Sequence, residues 1–79
     1  LELRIEGPAN IGLFLYDNHT FIVESFLPYF SDVRVVLDQP GLVLTDLVSG
    51  EQLTGDTLGS QTIFTLKLEP TTYRVFRYA

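Results

Sequence analysis

Gln61-Thr62-Ile63-Phe64-Thr65-Leu66-Lys67-Leu68-Glu69, then Pro70-Thr71-Thr72, then Tyr73-Arg74-Val75-Phe76-Arg77-Tyr78 is the stretch that decides the fold. Thr62, Phe64, Leu66 and Leu68 fall on one side of an extended chain, and Ile63, Thr65, Lys67 and Glu69 on the other. A period of two of this kind marks a strand with one buried and one solvated face. Pro70 has no amide proton for a ladder and so interrupts it. Residues 73–78 return as a second strand, rich in β-branched and aromatic side chains. The two are read as a closing strand pair that ties down the C-terminus and completes a core.

Working back from this pair, the same signals recur. Leu1-Glu2-Leu3-Arg4-Ile5-Glu6 alternates strictly and stops at Gly7-Pro8. Ile11-Gly12-Leu13-Phe14-Leu15-Tyr16 is almost wholly apolar, which predicts a strand covered on both faces. Asp17-Asn18-His19 is turn chemistry, and Thr20 to Phe26 follows directly, so residues 11–26 predict a β-hairpin. Leu27 to Asp32 connects to a strand over 33–38, and Gln39-Pro40-Gly41 turns into another over 42–47. Val48-Ser49-Gly50 predicts a tight turn with Gly50 at positive φ, followed by a short strand over 51–53. Thr54 to Ser60 reads as a loop. No helical stripe, repeat or linker is present. The fold expected is all-β: an antiparallel two-sheet β-sandwich of about seven or eight short strands.

Composition narrows the function. A chain of 79 residues reads as one domain, and with no methionine and a start in mid-pattern it reads as a fragment of a longer protein. Ten acidic against five basic residues give a net charge of −5, which a phosphate backbone would repel, so nucleic acid is not an expected partner. No run of about 18 apolar residues exists to predict a membrane-spanning helix. The lack of cysteine removes thiolate chemistry and disulfides. No cofactor is implied.

Asp46-Leu47-Val48-Ser49-Gly50-Glu51, followed by a strand and then Pro70-Thr71-Thr72-Tyr73-Arg74-Val75-Phe76-Arg77, resembles the close of C-terminal β-sandwich domains that follow the (β/α)-barrel of glycoside hydrolases. Those domains end on a hairpin of the form D-L-hydrophobic-S/T-G-E, a strand, a proline and a final Y-x-V-F strand. Asp17-Asn18-His19-Thr20-Phe21-Ile22-Val23 is similar to their earlier hairpin. The resemblance spans most of the chain and rests on turn glycines, a proline and core hydrophobics. It implies an accessory domain of a bacterial-type enzyme, with the catalytic domain of the same polypeptide as partner and the catalytic carboxylates on the barrel.

His19, with Ser25 as nucleophile and Asp17 as orienting carboxylate, has the types of a hydrolytic triad. No Gly-x-Ser-x-Gly elbow accompanies them, Ser25 lies within a strand, and turn geometry explains Asp17, Asn18 and His19. Asp46 and Glu51 flank a turn and could mimic a glycosidase pair, which needs carboxyl groups roughly 5 to 9.5 Å apart. A hairpin explains both, since Asp before a turn accepts backbone amides. Asp17, Asn18 and Asp56 lack the dense spacing of a calcium loop, so no metal site is assigned. No residue is assigned a catalytic role. Arg74 and Arg77 read as surface ion-pair partners.

Tyr29 and Phe30 carry more information. Adjacent aromatics in a loop cannot easily share one core. They plug the open end of the sandwich, bury against a neighbouring domain, or stack on a sugar ring, with Tyr16 as a further platform. Three functions remain in play: a non-catalytic brace for a glycoside hydrolase, a carbohydrate-binding module, and a cell-surface Ig-like interaction domain. If residues 29 and 30 do face outwards, weak self-association of the isolated chain is expected.

Overall fold

Nine strands form in the computed structural model, which describes residues 1–79 throughout. They are β1 (Leu3–Glu6), β2 (Ile11–Tyr16), β3 (Thr20–Ser25), β4 (Ser31–Leu37), β5 (Val43–Asp46), β6 (Gln52–Thr54), β7 (Asp56–Leu58), β8 (Gln61–Leu68) and β9 (Tyr73–Tyr78). One sheet has the order β1-β4-β8-β7, the other β2-β3-β9-β5-β6, and all pairings are antiparallel. The all-β sandwich expected from the alternation is the fold. The extra strand is β7, which lies inside the segment read as a loop.

The closing strands are not partners. β8 sits between β4 and β7 in one sheet, while β9 sits between β3 and β5 in the other. Residues 69–72 therefore cross the sandwich rather than turn a hairpin. Thr62, Phe64, Leu66 and Leu68 do form the buried row of β8, as the period of two requires. They meet Val33, Val35 and Leu37 of β4 beside them, and Phe21 and Val23 of β3, Leu44 of β5 and Phe76 of β9 opposite. Burying apolar surface on this scale is the dominant favourable contribution to such a small fold.

Two polar details set the connections. Thr62 is buried, donates from Oγ1 to the Gln39 carbonyl at 2.7 Å and accepts from the Leu42 amide at 3.2 Å. One core hydroxyl thus anchors the β4–β5 connection. The chain then changes sheets between β6 and β7 at Gly55. A Cβ there would lie 2.6 Å from the Ile63 carbonyl oxygen and 3.0 Å from the Phe64 ring, so only glycine lets the backbone pass this close.

The hairpin over residues 11–26 forms with Tyr16 opposite Thr20, and Asn18 and His19 take positive φ of 62° and 60° in its turn. β2 itself departs from expectation. It is an edge strand rather than one covered on both faces, and Phe14, Leu15 and Tyr16 are exposed.

Candidate functional site

Four connections share the end of the sandwich where β8 stops and β4 starts. Ser31 pairs with Leu68 there, Glu24 with Tyr73, and Asp46 with Phe76. Backbone bonds tie the connections together: Thr71 N to Leu27 O at 3.0 Å, Ser25 N to Thr72 O at 2.8 Å, Phe26 N to Asn10 O at 3.0 Å and Leu47 N to Val75 O at 2.9 Å. Leu27 is buried, with its amide donating to Ser25 Oγ at 3.2 Å, and it closes this end of the core.

Tyr29 and Phe30 do not plug it. They remain 58% and 57% exposed, and Lys67 Nζ stands 5.6 Å from the centre of the Phe30 ring. Phe26, Val48 and Tyr73 are exposed at the same end. Val48 and Tyr73 line one shallow hollow together with Asp46, Ser49 and Arg74. The result is an apolar rim carried by the connections at 26–30 and 47–51 and by the first residue of β9. Tyr16 does not belong to it. It pairs with Thr20 at the opposite end of β2, roughly 17 Å along the strand from Ile11 at the strand rise of about 3.3 Å per residue. The three aromatics therefore form no single platform.

The rim is held by the Asp46–Glu51 hairpin. Asp46 is buried; its Oδ1 accepts from the Val48 and Ser49 amides at 2.8 and 3.0 Å. Its Oδ2 accepts from Arg74 Nε and Nη2 at 3.2 and 3.1 Å. Arg74 Nη2 also lies 3.6 Å from Glu51 Oε1. Gly50 takes a φ of 80° and donates its amide to the Asp46 carbonyl at 2.8 Å. Burial by itself would raise the Asp46 carboxyl. The turn amides and the guanidinium outweigh it and hold the group below the usual carboxylate range. Arg74 is thus no surface residue: its side chain is three-quarters buried, on the inward row of β9 with Phe76.

Both oxygens of Asp46 are taken up by donors of the protein itself, and Glu51 is its neighbour on a shared arginine. The triad fails on distance. His19 stacks on Tyr78 at one end of β3, with ring centres 4.9 Å apart and 8° between planes. Ser25 is buried at the other end, roughly 20 Å away at about 3.3 Å per residue. Asp17 and Asn18 cap the β2–β3 turn of one sheet and Asp56 lies on the edge of the other, and no group of three His, Asp or Glu side chains gathers.

A second apolar feature lies apart from the rim, with which it shares only Tyr73. Phe14, Tyr16, Ile22, Glu24 and Tyr73 line an open groove of about 440 Å³ on the outer face of the five-stranded sheet. Its signal was the uncharged run of β2 together with Tyr73 at opposite parity to Phe76. No helix is present that is long and apolar enough to cross a membrane.

Comparison with curated proteins and with solved structures returns no match. A family described as "Probable glycosyl hydrolase, C-terminal domain" matches residues 2–78, so nearly the whole chain is accounted for. The D-L-V-S-G-E hairpin and the Y-R-V-F strand, which the structure joins through Arg74, lie within that match, and the chain belongs to this family of glycosyl hydrolase C-terminal domains.

Proposed function

We propose that the chain is a non-catalytic accessory domain that packs its rim of loops against the catalytic domain of the same polypeptide and braces it. The observation that carries the reading is the outward pair Tyr29 and Phe30, more than half exposed at the end of the sandwich that also carries exposed Phe26, Val48 and Tyr73. Exposed apolar groups gathered in one place mark interaction surfaces, and aromatics are enriched at the centre of such contacts. Family membership supports a catalytic domain as the partner. The locked state of Asp46 supports a structural use for the hairpin.

The test uses the intact polypeptide with Tyr29→Ser and Phe30→Ser together. The catalytic domain should unfold at a lower temperature and the two domains should separate faster under limited proteolysis. The 79-residue chain carrying both changes should melt as before. An intact polypeptide indifferent to both changes would refute the brace.

A second reading is favoured by the groove at Glu24. Tyr16, Tyr73 and Phe14 offer ring faces and Glu24 a hydroxyl acceptor, which suits a short oligosaccharide. Titration with oligosaccharides should then shift the NMR signals of Tyr16 and Tyr73. Flat titrations with glucan, xylan and galactan fragments would remove this reading and leave the brace intact.

A further inference from the structure

β2 is one of the two edges of the five-stranded sheet, β6 being the other, and it carries none of the devices that guard such an edge. Ile11-Gly12-Leu13-Phe14-Leu15-Tyr16 contains no charge and no proline. Its free backbone groups can be assigned. Phe26 N donates to Asn10 O, so Asn10 and Phe26 are a hydrogen-bonded pair in register with Ile11–Ser25 through Tyr16–Thr20. Hydrogen-bonded and non-bonded pairs alternate along an antiparallel ladder. Gly12, Phe14 and Tyr16 therefore turn their N–H and C=O towards β3, and Ile11, Leu13 and Leu15 turn theirs to the open side. Leu15 pairs with Phe21, on the core face, yet it is 61% exposed because no strand lies beyond it.

We infer that a second copy of this chain pairs with β2 about a two-fold axis through Leu13, joining two five-stranded sheets edge to edge. Leu13 then faces Leu13, Ile11 faces Leu15, and Gly12 faces Phe14. All three residues with free groups fall on hydrogen-bonded positions, for about six new backbone bonds. Two-fold registers centred on Gly12 or Phe14 leave one of the three without such a partner inside β2. A shift of one residue turns core-face side chains against outer-face ones. The favoured register also gives Leu15 the lateral neighbour it lacks. On the outer face, the Phe14 and Phe26 rings already lean over Gly12, at 3.1 and 3.3 Å from where its Cβ would stand. The same rings of the second copy meet them at the axis with no side chain between. The strand itself brings no like charges together, although each copy carries a net charge of −5.

The absence of cysteine makes the test direct, since one introduced thiol reports only symmetric contact. Paired Leu13 positions would have Cα atoms about 5.5 Å apart, within disulfide range. Leu15 and its own copy would lie about 13 Å apart, four residues along the strand. Leu13→Cys should therefore cross-link at least tenfold faster than Leu15→Cys. Sedimentation of the unaltered chain should show a reversible dimer with a dissociation constant on the order of 10 to 1000 µM, as a small interface implies. Leu15→Lys should weaken it at least tenfold without lowering the melting temperature. A chain monomeric at millimolar concentration, faster cross-linking at Leu15→Cys, or a dimer indifferent to Leu15→Lys would each overturn the inference. So would slow exchange of the Leu13 amide in an intact, monomeric polypeptide, which would assign the edge to the catalytic domain. None of these readouts depends on Tyr29 or Phe30.

Discussion

Arg74 and Asp46 stand 28 residues apart in the chain and meet through two donors of the guanidinium on one carboxylate oxygen. The other oxygen is left for the amides of the turn at 48–49. One carboxylate therefore fixes both the shape of the β5–β6 hairpin and its attachment to β9. Glu51 approaches the same guanidinium from the far side of the turn. The D-L-V-S-G-E spacing puts one carboxylate before the turn and one after it, which lets both reach a single arginine.

Acid should weaken this joint selectively. The folded-state pKa of Asp46 lies below its unfolded value, so its stabilisation is fully present above the unfolded value of about 3.9 and is lost as pH falls through the folded one. Asp46→Asn keeps an acceptor for the turn amides but loses the charge facing Arg74. It should cost about 1–3 kcal/mol at pH 7 and flatten the fall in stability below pH 4. Urea midpoints measured between pH 2.5 and 7 check both; parallel pH profiles for the two proteins would contradict the assignment.

Gly50→Ala tests the turn. Open space surrounds the position, so any penalty comes from forcing a side chain to a φ of 80°. A loss of about 1 kcal/mol is expected, read as a lower denaturation midpoint with an unchanged slope.

Phe64 and Thr65 separate the two faces of β8. Phe64 is buried between the sheets and Thr65 is exposed. Phe64→Ala should remove about 3 to 5 kcal/mol, whereas Thr65→Ala should stay within about 0.5 kcal/mol. Comparable losses would mean that the outer face of β8 is covered as well.

Gly55→Ala should be more damaging than Gly50→Ala, although neither glycine lies at the centre of the core. The added methyl would meet a backbone carbonyl and a buried ring that cannot both retreat. About 1–3 kcal/mol of overpacking is expected, and crystallography of the variant should show the β6–β7 corner displaced from Ile63.

Alternation made β8 legible almost to the residue, because one face sees core and the other sees water. It could not say which sheet a strand joins, so β8 and β9 read as partners when they lie in opposite layers. β7 was invisible for a different reason. Asp56, Thr57 and Leu58 are all exposed and are ordered by pairing with β8 alone, which leaves no mark on composition. The adjacent aromatics Tyr29 and Phe30 announced the candidate surface from the sequence. Val48 and Tyr73 joined it only through topology, and Arg74 read as a surface charge because its partner lies on a strand distant in sequence. β2 looked like an inner strand because apolar runs are the same whether a neighbour covers them or none does.

The place of β9 has a consequence for biosynthesis. It is the only element joining the β2–β3 hairpin to the β5–β6 hairpin. Until Tyr73 to Tyr78 have left the ribosome, the larger sheet exists as two separate hairpins, each marginal in water by itself. A nascent chain halted at Pro70 would hold Phe21 without its partner Phe76 and Leu44 without its partner Tyr78. Such a product would keep the inner faces of both hairpins open, so the larger sheet closes only when β9 is in place.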